Sequence, residues 1–153
     1  MNETEHYLKQ LVASRKLFFQ EQDSKRDWPY LCIEDFVLRK GRPMGDMMPL
    51  PDGVKKGEPK ECFKNAFELA MERGWTYCEG FATGIIPTAH AWVLNGGGVI
   101  DPTWSEGKDY YGVEIPLQYV ITTVLRREAY GVIDAWEIGY PLLTGEEDIN
   151  VLL

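Results

Sequence analysis

The sequence predicts an α+β fold in which helices pack on an antiparallel sheet. Three observations carry this expectation. Apolar side chains recur at helical spacing over 3–20, 60–73 and 116–130, the run TYCEGFAT has strand composition, and Asn95-Gly96-Gly97-Gly98 separates two apolar stretches as a hairpin turn does. At 153 residues the chain has the size of one domain, able to bury roughly two thirds of the surface that its unfolded form exposes.

Over 3–20, Tyr7, Leu8, Leu11, Val12, Leu17 and Phe18 form a stripe close to helical, and Asn2 or Thr4 stands ready to cap it. Residues 21–60 lack a clean period. Pro29, Pro43, Pro49, Pro51 and Pro59, with Gly41, Gly45, Gly53 and Gly57, mark a long irregular connection interrupted by one short strand over 31–38. A connection of this length in a compact domain is commonly functional, and this one leads into Cys62, where it is expected to wall a site. Its Lys55, Lys56 and Lys60 are offset by Asp52, Glu58 and Glu61, as on a solvated loop; the alternative is that Lys60 adds positive potential near the Cys62 thiol.

The segment PKECFKNAFELAMERGW opens on proline, repeats Phe63, Ala66, Phe67 and Ala70 at helical spacing, and stops at Gly74. Cys62 therefore falls in the first helical turn. Unpaired N–H groups and the positive end of the helix dipole favour an anion there, which predicts a lowered thiol pKa. Glu61, beside the thiol, opposes its ionisation. The plainer role for Cys62 is that of a small buried apolar residue.

Residues 76–83 read as a strand, on which Cys78 and Glu79 face opposite sides, so only one of them approaches a site. Glu79 is either a ligand for a polar substrate group or a structural carboxylate. The stretches 91–94 and 99–101 flank the glycine turn. In the simplest register His90 begins one strand and Asp101 ends the other, at the same end of the hairpin. That places an imidazole where one nitrogen can face a thiol while a carboxylate holds the other. His6, the other histidine, lies on the polar leading helix. Trp92 shares the face of His90 and either shields the site or fills the core, while Trp104, Tyr110 and Tyr111 border a pocket or close the core. Pro102 and Thr103 shape the turn after Asp101.

Leu117, Val120, Ile121, Val124 and Leu125 then mark a helix ending before Gly131, with Arg126 and Arg127 at its negative end. VIDAWEIGYPLL is expected to be a strand and loop that join the sheet, and the tail GEEDINVLL to dock on the body.

Composition excludes several classes of function. The net charge of −8 repels a phosphate backbone, so nucleic acid is not an expected partner. No run of about 18 apolar residues exists to cross a membrane, and MNETEHYLKQ lacks the basic-then-apolar order of a secretory signal, pointing to the cytoplasm. Cys32, Cys62 and Cys78, an odd and irregular set, read as reduced thiols. Cys62, Cys78, His90 and Asp101 are metal-ligating types, but no CxxC or HxxxH pair supports a metal site, and the glycine run is no phosphate loop; neither metal nor cofactor is expected.

The run HAWVLNGGGVIDPTW resembles the His-x-Trp, glycine turn, Asp-Pro-Thr signature of transglutaminase-like domains, a papain-like superfamily that includes transglutaminases, related bacterial proteases and peptide N-glycanases. ECFKNAFELAMERGWTYCEGFATG likewise resembles that family's cysteine-bearing helix followed by a strand ending near a glycine. The resemblance covers about residues 60–104. It implies a cysteine-bearing helix on an antiparallel sheet, with Cys62 as nucleophile, His90 as general base and acid, and Asp101 as orienter of the imidazole. The expected chemistry is acyl transfer through a thioester, hydrolysing an amide, peptide or isopeptide bond in a peptide, protein or small amide substrate, with Glu79, Trp92 and Trp104 as pocket residues. The alternative is an inactive fold of this kind used to bind a protein or ligand.

Overall fold

The computed structural model describes residues 2–21 and 27–149. Helix α1 (Glu3–Glu21) leads, followed by α2 (Ile33–Lys40), β1 (Arg42–Gly45), α3 (Cys62–Arg73), β2 (Thr76–Thr83), β3 (Pro87–Asn95), β4 (Gly98–Ile100), β5 (Lys108–Ile115), α4 (Leu117–Arg127), a single 3-10 turn over Trp136–Ile138 and α5 (Pro141–Thr144). The five strands form one antiparallel sheet in the order β1-β5-β2-β3-β4. The fold is thus α+β. Among the described residues no helix is long and apolar enough to cross a membrane.

Strand alternation divides the buried side chains between two faces. On one, Tyr77, Phe81, Ala91, Val93, Tyr111, Val113 and Ile115 meet the helices through Leu8, Phe36, Val37, Ala66, Leu69, Ala70 and Val120. On the other, Cys78, Ala82, Trp92, Leu94, Val99 and Tyr110 form a smaller core covered by Met44, Met47 and Trp104. His90 pairs across the sheet with Gly80 and shares the face of Trp92.

Asn2 caps α1, its Oδ1 accepting the Glu5 N–H at 2.6 Å, while Thr4 is buried and shares a hydrogen bond with the Thr83 hydroxyl. Leu8 and Val12 are buried, whereas Leu17 and Phe18 are exposed. Gly74 ends α3 in the left-handed conformation at φ 70°. The β3–β4 hairpin turns on Gly96 and Gly97, both at positive φ as a primed two-residue turn requires.

Three expectations are corrected. The stretch 31–38 is not a strand: it enters α2, because the buried Asp35 carboxylate accepts the Leu31 N–H and pairs with Arg39 one turn on, and acidic first-turn and basic last-turn residues suit the dipole. VIDAWEIGYPLL contains no strand; the Ile133 N–H is committed to the Glu79 carboxylate, and Tyr140 at φ 53° breaks extension. Helix α4 stops at Arg127, where Glu128 turns left-handed and the Arg127 guanidinium donates to the carbonyls of Tyr130 and Gly131. The tail docks through Ile149, which is buried, and through Glu147, which receives Arg126 and the Tyr119 hydroxyl; residues 150–153 lie outside the described residues.

Candidate active site

His90 stands within β3 rather than at its start, and Asp101 follows the last residue of β4. The hairpin pairs Val93 with Ile100, so Asp101 falls diagonally opposite the imidazole. His90 Nε2 and Asp101 Oδ2 are 2.7 Å apart, with both side chains buried. The Tyr110 hydroxyl donates to the same Oδ2 at 2.5 Å, and the N–H groups of Thr103 and Trp104 donate to Oδ1 at 2.8 and 3.0 Å. The DPTW turn therefore wraps the carboxylate in backbone donors.

Burial opposes ionisation of Asp101, but the His90 imidazole, the Tyr110 hydroxyl and the Trp104 N–H outweigh it and hold the carboxyl below its ordinary range. An ionised Asp101 accepts, so His90 Nε2 carries a proton and Nδ1 is the nitrogen that faces away from the carboxylate. The indole of Trp104 lies flat on the imidazole, with centroids 3.6 Å apart and planes 17° apart, and Trp92 stacks farther off at 6.2 Å. Ring plane and tautomer are both set.

Cys62 is the first residue of α3, half-buried, and α3 packs on β3. The backbone N–H groups of Ala91 and Phe63 favour the ionised form of its sulfur. Strand β4 covers only 93–95 of β3, so Ala91 lies beyond the paired stretch. The thiol thus reaches the residue next to His90. Among the described residues the imidazole's one hydrogen bond goes to Asp101, and the thiol's link to it is open.

The thiol pKa is the opposite of that predicted. Burial, together with the carboxylates of Glu79 and Asp101, pushes it up to about 11, despite the opposing Ala91 and Phe63 N–H groups. Desolvation outweighs the helix terminus, and the carboxylates that act are two distant in sequence rather than the neighbouring Glu61. Lys55, Lys56 and Lys60 are exposed on the loop.

Glu79 lies on the helix face and Cys78 on the opposite one. Fully buried, Glu79 accepts the Tyr77 hydroxyl at 2.5 Å and the Ile133 N–H at 3.0 Å. Burial raises its pKa against those donors, the Val132 N–H and Arg127. Trp92 is wholly buried core, with an indole N–H that has no partner among the described residues. Tyr111 faces the helices, its hydroxyl donating to the Leu38 carbonyl, and takes no part in the site.

Asn65 was not singled out by sequence, yet its Nδ2 donates to the Glu58 carbonyl and to Thr103 Oγ1, both at 2.9 Å. It ties the loop before Cys62 to the turn that holds Asp101. Its position on the helix, one turn after Cys62, was the available clue.

No family model, no curated protein and no solved structure matches the chain.

Proposed function

We propose that the protein is a transglutaminase-like, cysteine-dependent acyl-transfer enzyme that hydrolyses an amide, peptide or isopeptide bond. The observation that carries this reading is the His90–Asp101 pair: a buried imidazole with its tautomer fixed by a carboxylate and its plane fixed by Trp104, one residue from the backbone that meets the Cys62 sulfur.

In the proposed reaction the Cys62 proton passes to His90 Nδ1 as sulfur attacks the carbonyl carbon. The C–S bond forms, and the tetrahedral oxyanion is met by the Cys62 N–H, which has no acceptor within the helix. Collapse breaks the carbonyl–nitrogen bond as His90 protonates the leaving amine. Water, deprotonated by His90, then cleaves the thioester and returns the proton to sulfur. The high thiol pKa makes this a general-base mechanism that starts from a neutral pair, with substrate binding drawing the two groups together.

The open thiol–imidazole link and the raised thiol pKa favour a second reading, a binding module with an unused triad. Alkylation separates the two. Iodoacetamide near neutral pH is expected to label Cys62 faster than Cys32 and Cys78, and His90→Ala to slow that labelling; equally slow labelling of all three thiols would argue for the binding module. An acyl-type activity probe should then mark wild type and leave Cys62→Ala unmarked.

A further inference from the structure

Two clefts flank the start of β3 on opposite faces of the sheet. The first, about 270 Å³, is lined by Phe63, Ala89, Tyr130, Ile133 and Glu79, so it includes the residue after Cys62 and the residue before His90. The second, about 580 Å³, is lined by Thr88, Trp104, Ser105 and the Ile85-Ile86 tip of the β2–β3 connection, which is 97% and 67% exposed. Thr88 and Ala89 are neighbours that point to opposite faces, which puts one cleft on the side of Glu79 and the helices and the other on the side of the imidazole and its covering Trp104.

We propose that these clefts are the two halves of a peptide-binding site, with the acyl residue's side chain in the Phe63–Tyr130–Ile133 cleft and the leaving-group segment along Trp104, Ile85 and Ile86. This rests on the acyl-transfer reading. The chemistry orients the substrate: the acyl part stays on the sulfur at the start of α3, beside Phe63, whereas the leaving nitrogen must face the imidazole that protonates it, on the Trp104 side. Size and charge select the acyl residue. A cavity of about 150 Å³ already holds a benzene ring, so the first cleft takes one large apolar side chain rather than a whole ligand. Its charged groups are Glu79 and Asp134, with an Arg127 guanidinium already bound to Glu137, so an acidic side chain is rejected.

The test uses acetyl-peptidyl chloromethyl ketones ending in Leu or Asp, whose leaving group is only chloride and which therefore read the acyl side alone. The rate of Cys62 modification, followed by intact mass, is expected to be at least about tenfold faster for Leu, and Tyr130→Ala, at a residue 39% exposed, to cut that ratio several-fold. Ile86→Ser should leave the ratio unchanged while lowering kcat/KM for peptide amides with an apolar residue after the scissile bond. A ratio near one or below it, or a ratio set by Ile86 and untouched by Tyr130→Ala, would overturn the assignment. If iodoacetamide labels Cys62 without dependence on His90, the acyl-transfer reading itself falls; if that dependence holds and the ratio is near one, only the assignment of the clefts falls.

Discussion

Asp101 holds its two oxygens in different company, and that difference gives a sharp test. Oδ1 faces the Thr103 and Trp104 N–H groups and must remain an acceptor; Oδ2 faces His90 and the Tyr110 hydroxyl. In Asp101→Asn the two backbone donors keep the amide oxygen on their side, and the amide nitrogen turns to His90 Nε2 as a donor. The imidazole then carries its proton on Nδ1, where the thiol needs a base. Activity is expected to fall on the order of 10⁴-fold while the fold is retained, by analogy with the tautomer reversal measured in serine protease triads; steady-state kinetics and circular dichroism read the two quantities, and a loss under tenfold would refute the tautomer assignment. Tyr110→Phe removes one donor to the same carboxylate and should cost about 1.5–3 kcal/mol in urea unfolding. The thiol offers a third readout. With His90→Ala the Cys62 alkylation rate should climb with pH toward about 11, because burial and the two carboxylates hold the proton on sulfur; a plateau near pH 7 would show a thiolate stabilised by something other than His90.

At the level of the elements, the site depends on two connections. Asn65 in α3 grips the loop at Glu58 and the turn at Thr103, and the Gly57 N–H donates to the Pro102 carbonyl alongside. Asn65→Ala should lose about 1–3 kcal/mol, the net worth of its two hydrogen bonds, and should speed hydrogen exchange at the Gly57 amide; unchanged exchange there would show that the loop is held elsewhere. The sheet imposes its own limit at Gly112, where an added Cβ would lie 2.7 Å from the Trp92 ring and from the Glu79 carbonyl oxygen. The cysteine-bearing helix, strand 76–83 and the hairpin were legible because each carries its own punctuation: Pro59 and Gly74, a β-rich run, and an Asn-Gly-Gly turn. That His90 and Asp101 come together followed from the hairpin turn, while the place of His90 inside β3 did not. Helix α2 was not legible, since its eight residues are too short to show a period and its apolar side chains Phe36 and Val37 are buried against distant elements. Strand β5, between β1 and β2 in the sheet, lacks a turn signal joining it to either neighbour, and both are remote in sequence. The thiol pKa was misjudged because helix position is a local property, whereas desolvation and the field of Glu79 and Asp101 arise only in the folded chain.

For the molecule as a whole, the sheet separates a helix-covered face, where Glu79 is buried, from a loop-covered face that carries the imidazole, and Cys62 at the start of α3 lies against β3. Two buried carboxylates on opposite faces then couple the site to global stability with opposite signs. Asp101 titrates lower in the folded chain than in the unfolded one, so its contribution is present above the unfolded value of 3.8 and is lost as pH falls through its folded value. Glu79 titrates higher than 4.5 in the folded chain, so its contribution is present in acid and is lost as pH rises through its folded value. Near neutrality the two therefore oppose each other, and only the Asp101 contribution disappears on acidification. Urea unfolding of wild type and Asp101→Asn from pH 7 to pH 3 should show a stability gap that is constant at the upper end and narrows below about pH 4, where the unfolded Asp101 takes up its proton. A gap that stays constant down to pH 3 would mean that Asp101 is not held as an anion, and with it would go the Nε2–H tautomer on which the proposed chemistry of His90 depends.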